Sequence, residues 1–247
     1  MYLFIVLLFV HFLVDYVIQN DGLVKSKREG QQSALLIHVL HYLGLSIALT
    51  LPWFSWRWIT ALLIQTSTHY VLDFFKNRWI IRNSRESIVL DSMDLILHIL
   101  IIYITVSGFN PQMSDITPAW LTAVYSHLIT YVFCLLVISM IFITRTATYL
   151  IRSLLESMTP RKDVMLVSKT EYSTGRVIGN LERILIFMFV FSGHLGAIAI
   201  IIAAKSIARY KELENKSFAE YYLIGTLTST IIAILTAFWT QWMIMIL

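Results

Sequence analysis

One cysteine stands in 247 residues. Cys134 lies inside an apolar stretch, so the chain makes no internal disulfide and carries no cysteine-based metal motif. Glycine and proline are scarce, at 9 and 4, which disfavours a loop-rich or disordered chain and favours long helices. Charged residues make up only 14%, against roughly 25% in a soluble globule. Apolar residues fill the gap: 57% of the chain, with a mean hydropathy of +0.72. That is more than one soluble core can hide, so most of the surface is not meant for water.

The apolar residues come in long runs. Candidate membrane spans are residues 1–19, 33–54, 57–76, 89–107, 119–144, 183–207 and 219–247. Only helices and closed barrels satisfy backbone groups in lipid, and these runs are far too long for barrel strands. The fold class is therefore all-α, a polytopic transmembrane helical bundle of about six or seven segments. The opening MYLFIVLLFV lacks a basic n-region and a small-residue cleavage site, which reads as a retained first span. Residues 1–107 form a four-helix unit, and 108–158 a long helix whose end, 145–158, is amphipathic. Residues 159–175 form a polar cytoplasmic loop, and 176–247 a C-terminal membrane unit. Gly193 and Gly196 fall inside the sixth run and open it to a re-entrant reading, as half-helices 183–192 and 194–207.

The net charge of +4 does not point to nucleic acid, and no direct nucleic-acid partner is expected. The basic residues lie between apolar runs: Lys25, Lys27 and Arg28 in 20–32, then Arg78, Arg82 and Arg85 in 77–88. Their alternation predicts an outside N-terminus and cytoplasmic basic loops. Trp53, Trp56, Trp58, Trp79 and Trp120 near span ends read as interface anchors.

Polar residues inside the first four spans carry the chemistry. Span one holds His11 and Asp15, span two His38, His41 and Tyr42, span three His69 and Asp73, and span four Asp91, Asp94 and His98. Three spans thus show His and Asp four positions apart, which puts both on one helical face about 6 Å apart along the axis. Ionisable groups inside spans are costly and mark functional sites. On the topology above, every pair falls in the cytoplasmic third of its helix. Imidazole and carboxylate donors at one depth suit a divalent metal such as Zn, Mn or Fe. The metal set is His11, Asp15, His38, His69, Asp73, Asp94 and His98, and Asp15, Asp73 and Asp94 are also the candidate catalytic carboxylates. The bland alternative is polar glue between helices. His41 lies off the His38 face, Asp91 reads as a cap for span four, and His127 and His194 read as packing or interface histidines. In the C-terminal unit, Lys205, Arg209 and Arg183 are candidates to hold an anionic group, against a reading as ordinary boundary charges.

HFLVDYVIQ, a downstream Lys, the His-containing second helix, THYVLDFFK and DLILH together resemble the bacterial membrane family of unknown function numbered 3307. The resemblance covers about residues 1–105 and falls on His11, Asp15, Gln19, His38, His69, Asp73, Lys76, Asp94 and His98. It departs at Leu95, where Gln is expected after the Asp. The stretch GRVIGNLER…AAKSIARYKEL…FAEYYLIGTL resembles a tail of longer members. The resemblance implies a bacterial inner-membrane protein and supplies no reaction. The HxxxD style is loosely similar to intramembrane metal-dependent hydrolases, by analogy alone.

Three functions stay open. The leading expectation is a metal-dependent hydrolase acting on a phosphate-bearing or lipid-linked substrate. A proton- or cation-coupled transporter or channel is the second, and a signalling or assembly protein with structural polar pairs is the third. Expected partners are membrane lipids, an anionic or lipid-linked substrate and a second copy of the chain.

Overall fold

The computed structural model describes residues 2–83, 88–112, 118, 125, 131–158 and 169–246. Among these residues there is no strand. The chain is all-α and divides into two compact units, Met1–Ile138 and Ser139–Leu247.

In unit 1, α1 (Tyr2–Leu13) continues into a π-helical turn, π1 (Val14–Ile18), and a short helix α2 (Asp21–Arg28) follows. Asn20 caps α2, its Oδ1 accepting from the Leu23 backbone N–H at 2.8 Å. α3 (Gln32–Leu49), α4 (Trp56–Asn83) and α5 (Ile88–Phe109) complete the set. α1 packs on α3 and α5, and α4 packs on α3 and α5, so the four helices close a ring. α1 is apolar on nearly every face, and Ile5, Val6, Leu7 and Val10 are fully buried. A helix without a polar face belongs at a centre.

Unit 2 holds π2 (Phe142–Thr146), α7 (Ala147–Met158), α8 (Lys169–Phe191), α9 (Gly196–Ala208) and α10 (Lys216–Ile246). The helix α6 (Tyr131–Ile141), which leads into π2, carries the boundary between the units. α10 packs along α8 and α7, where Ala147, Ile151 and Leu155 meet Ile224 and Ile232. Between apolar helices in lipid there is little hydrophobic drive, so packing and polar links do the joining. One such link joins the Ser139 and Thr240 hydroxyls at 2.6 Å.

By length and composition, Gln32–Leu49, Val89–Phe109, Tyr131–Leu155 and Lys216–Ile246 can each cross a membrane, and the bent pair Tyr2–Ile18 plus Gly22–Arg28 is a possible fifth span. This is compatible with a multi-pass membrane protein. Several boundaries differ from expectation. The second span ends at Leu49, because Pro52 turns the chain into a 3₁₀ segment, Leu51–Trp53. α4 runs on through Asn83, into what reads as a loop, because neither Gly nor Pro interrupts it and its basic residues are good helix formers. Residues 20–32 contain α2, and 169–175 are already helical in α8. The sixth run is broken between α8 and α9 at Gly193, whose φ of 78° is a conformation glycine takes freely. Trp58 is no interface anchor: it is buried, and its Nε1 donates to Thr50 Oγ1 at 2.9 Å. Trp56 is 80% exposed, as an anchor would be. Arg85, Trp120, His127, residues 159–168 and most of 119–130 lie outside the described residues.

Candidate metal centre

Inside the ring, α1 and π1 present His11 and Asp15, α3 presents His38, α4 presents His69 and Asp73, and α5 presents Asp94 and His98. Every one of these seven side chains has a nitrogen or oxygen within 4.0 Å of another's. Three overlapping triads can each converge on an ion: His11–Asp15–His69, His38–His69–Asp73 and Asp73–Asp94–His98.

The tightest part is a quartet. His38 Nε2 and His69 Nε2 stand 3.1 Å apart. Asp15 Oδ1 is 3.4 Å from the first and 4.0 Å from the second, and Asp73 Oδ2 is 3.5 and 3.9 Å from them. Ligand atoms held at about 2.0–2.1 Å around a tetrahedral zinc ion stand roughly 3.3 Å from one another. Two imidazole nitrogens facing at this distance need a proton on one or a cation shared by both. Asp15 Oδ1 and His11 Nδ1 are buried without a hydrogen-bond partner. Leaving a buried polar atom unmatched costs about 1–3 kcal/mol, so these atoms call for a partner that the neighbouring side chains do not supply, an ion or a water.

Two lysines complete the electrostatics. Lys27, on α2, donates to Asp73 Oδ2 at 2.7 Å and to Gln19 Oε1 at 3.1 Å. Lys76, one turn beyond Asp73 on α4, lies 2.8 Å from Asp94 Oδ2 and 3.0 Å from Asp91 Oδ1. Asp91 thus sits in the first turn of α5 and also ties α5 to α4. With the carboxylates ionised and the imidazoles neutral, Asp15, Asp73, Asp91 and Asp94 face two ammonium groups. The cluster carries two negative charges in excess, which one divalent cation neutralises. His98 Nδ1 bonds the Asp94 backbone carbonyl at 2.8 Å, and a carbonyl only accepts, so Nδ1 holds the proton and Nε2 keeps its lone pair. That Nε2 is buried and has no hydrogen-bond partner.

Sequence reasoning gave no site role to three contributors, Tyr42 among them although it stands with the polar residues of span two. Lys27 reads as one topology charge among three, and only the turn at Asn20 brings it to Asp73. Tyr42 packs its ring on His69, with centroids 4.9 Å apart, and accepts a bond from Gln65 Nε2 at 2.6 Å. A signal for Gln65 existed, since Gln65, His69 and Asp73 recur every fourth residue on one helix. His41 is exposed, in line with its place off the His38 face.

The three candidate cations of unit 2 each have partners within that unit. Lys205 donates to Glu182 at 2.6 Å. Arg183 is buried and donates to the Ile143 carbonyl, Ser229 Oγ at 3.0 Å, Thr148 Oγ1 at 2.5 Å and Asn180 Oδ1 at 2.6 Å. Arg209 lies 3.9 Å from Glu212 and over the Phe218 ring. His194 is exposed in the turn at Gly193 and donates from Nδ1 to the Ser192 carbonyl at 2.9 Å.

Comparison with the curated proteins and with solved structures finds no match. Comparison with family models finds one, over residues 3–129, which holds every His and Asp of the cluster and leaves out the C-terminal stretch. The chain therefore belongs to the family described as "Protein of unknown function (DUF3307)".

Proposed function

We propose that the protein is a membrane-embedded, metal-dependent hydrolase acting on a phosphate-bearing or lipid-linked substrate, with its metal centre in the His/Asp cluster of unit 1. The observation that carries the reading is the facing pair His38 Nε2 and His69 Nε2, 3.1 Å apart, with Asp15 Oδ1 at 3.4 and 4.0 Å and Asp73 Oδ2 at 3.5 and 3.9 Å from them, distances close to those between ligands that share one ion. The two excess negative charges call for a divalent cation, and the mixed imidazole and carboxylate donors suit Zn, Mn or Fe. Such an ion polarises a phosphoryl oxygen and lowers the pKa of a bound water toward 7. Asp94, held by Lys76 and outside the quartet, is the carboxylate left to accept a proton.

Of the cations expected to hold an anionic group, Lys205 and Arg183 are engaged within unit 2. Arg209, 39% exposed at its side chain, is the one open to a lipid headgroup. An inner-membrane location with an outside N-terminus, and self-association, belong to the same proposal.

A second reading has its own observation. Lys27 already seats a cation on Asp73, so the same donors suit a proton or cation in transit.

The test is metal content of detergent-purified protein by elemental mass spectrometry, beside an Asp15→Ala/Asp73→Ala double variant. Near-stoichiometric Zn, Mn or Fe that the variant loses supports the centre, and hydrolysis of phosphate mono- and diesters then tests the reaction. Metal-dependent flux into proteoliposomes without product favours the transporter. No metal after resupply overturns the metal centre and leaves the cluster as a proton relay or helix glue, which proton flux into proteoliposomes then separates.

A further inference from the structure

Asp73 has two faces. Its Oδ2 looks toward His38, His69 and Lys27, whereas its Oδ1 lies 3.9 Å from His98 Nε2. His98 Nε2 is a lone pair without a partner on a side chain 96% buried. Its orientation is fixed from behind by the Nδ1 bond to the Asp94 carbonyl, the kind of backing that metal-bound histidines have. The ring is further held between His69 and His11, at centroid distances of 4.3 and 4.9 Å. None of this is needed for an ion in the quartet.

The geometry points to a second cation position between His98 Nε2 and Asp73 Oδ1, with Asp73 bridging it to the quartet. This inference rests on the metal-centre reading above and deepens it by naming a ligand class. One divalent ion cancels the two excess negative charges of the cluster. A second leaves the site with two positive charges, held by few protein donors, in partly desolvated surroundings. That is stable only beside a dianion, so the second ion binds together with a phosphate group whose oxygens bridge the pair. Two ions about 3.5–4 Å apart are the usual clamp for displacement at phosphorus.

The experiment uses the full chain in detergent, stripped with chelator and titrated with Mn²⁺, without and with inorganic phosphate. Free Mn²⁺ is read by electron paramagnetic resonance, and His98→Ala is run in parallel. The expected result is one Mn²⁺ per chain alone and two with phosphate, the second giving a spin-coupled spectrum. His98→Ala keeps the first ion, which also reports that it folds, and loses the second. If that variant loses both, His98→Gln replaces it, and the wild-type response to phosphate decides. A wild type that stays at one ion with phosphate, or a His98→Ala variant that still takes two, overturns the second position and leaves the one-ion reading standing. Two ions without phosphate support the position and overturn its link to the dianion. No bound Mn²⁺ in any sample, and no Zn²⁺ by elemental analysis after the same titration with Zn²⁺, overturns this inference and the metal centre together.

Discussion

Both units bury charge beside a π-helical turn, and they treat it in opposite ways. In unit 1, π1 carries Asp15 into a cluster where two negative charges go unmatched and several buried atoms have no hydrogen bond. In unit 2, π2 offers the Ile143 carbonyl to Arg183, and three uncharged side-chain oxygens take three more of its N–H groups. A π turn frees backbone groups from the ordinary ladder, and such turns concentrate at functional sites. Only what surrounds the turn separates a structural use from a chemical one. Arg183 has four of its five N–H groups taken by neighbours in its own unit. The histidines and aspartates are gathered without being satisfied, and that incompleteness is what the proposed metal centre rests on.

The largest expected effect tests the incomplete side. Asp73→Ala leaves Lys27 buried without its carboxylate, so unit 1 loses about 3–5 kcal/mol, and bound metal falls at least tenfold; thermal unfolding in detergent and elemental analysis read the two. Next comes removal of the ion. Chelation lowers stability by about 2.7 kcal/mol relative to protein held at a hundred times the metal Kd. The Asp15→Ala/Asp73→Ala variant shows no such shift. A chelator-insensitive wild type would erase the contrast between the units.

Arg183→Met sharpens the other side. It leaves buried acceptors unmatched and destabilises unit 2 by about 1–3 kcal/mol, with metal content unchanged. Loss of metal in that variant would break the comparison. Of a size with that destabilisation is Trp58→Phe, which removes the bond to Thr50 Oγ1 and part of a fully buried side chain, and costs about 1–3 kcal/mol with metal retained.

Helix type was legible because the runs are long, apolar and nearly free of Gly and Pro. Boundaries were less so. Charge alone does not end a helix, and α4 carries Lys76, Arg78 and Arg82 without breaking. Pro52 and Gly193 did end helices, and both were visible as residues that restrict or free the backbone. The His/Asp pairs were legible through their spacing of four. The Lys27–Asp73 pair was not, since 46 positions separate its members and no local pattern tells Lys27 from Lys25.

By itself, the sequence determined an all-helical chain with too little charge for a soluble surface, and paired imidazole and carboxylate groups on separate apolar helices. Helical periodicity and the cost of charge in lipid are local properties, so they can be read residue by residue. Only the tertiary structure decided that four helices close a ring, that Asp73 faces His38 and Lys27 on one side and His98 on the other, and that Arg183 bonds to groups of its own unit. Those facts depend on which helix meets which and on the rotation of each about its axis, quantities set by packing between segments distant in the chain.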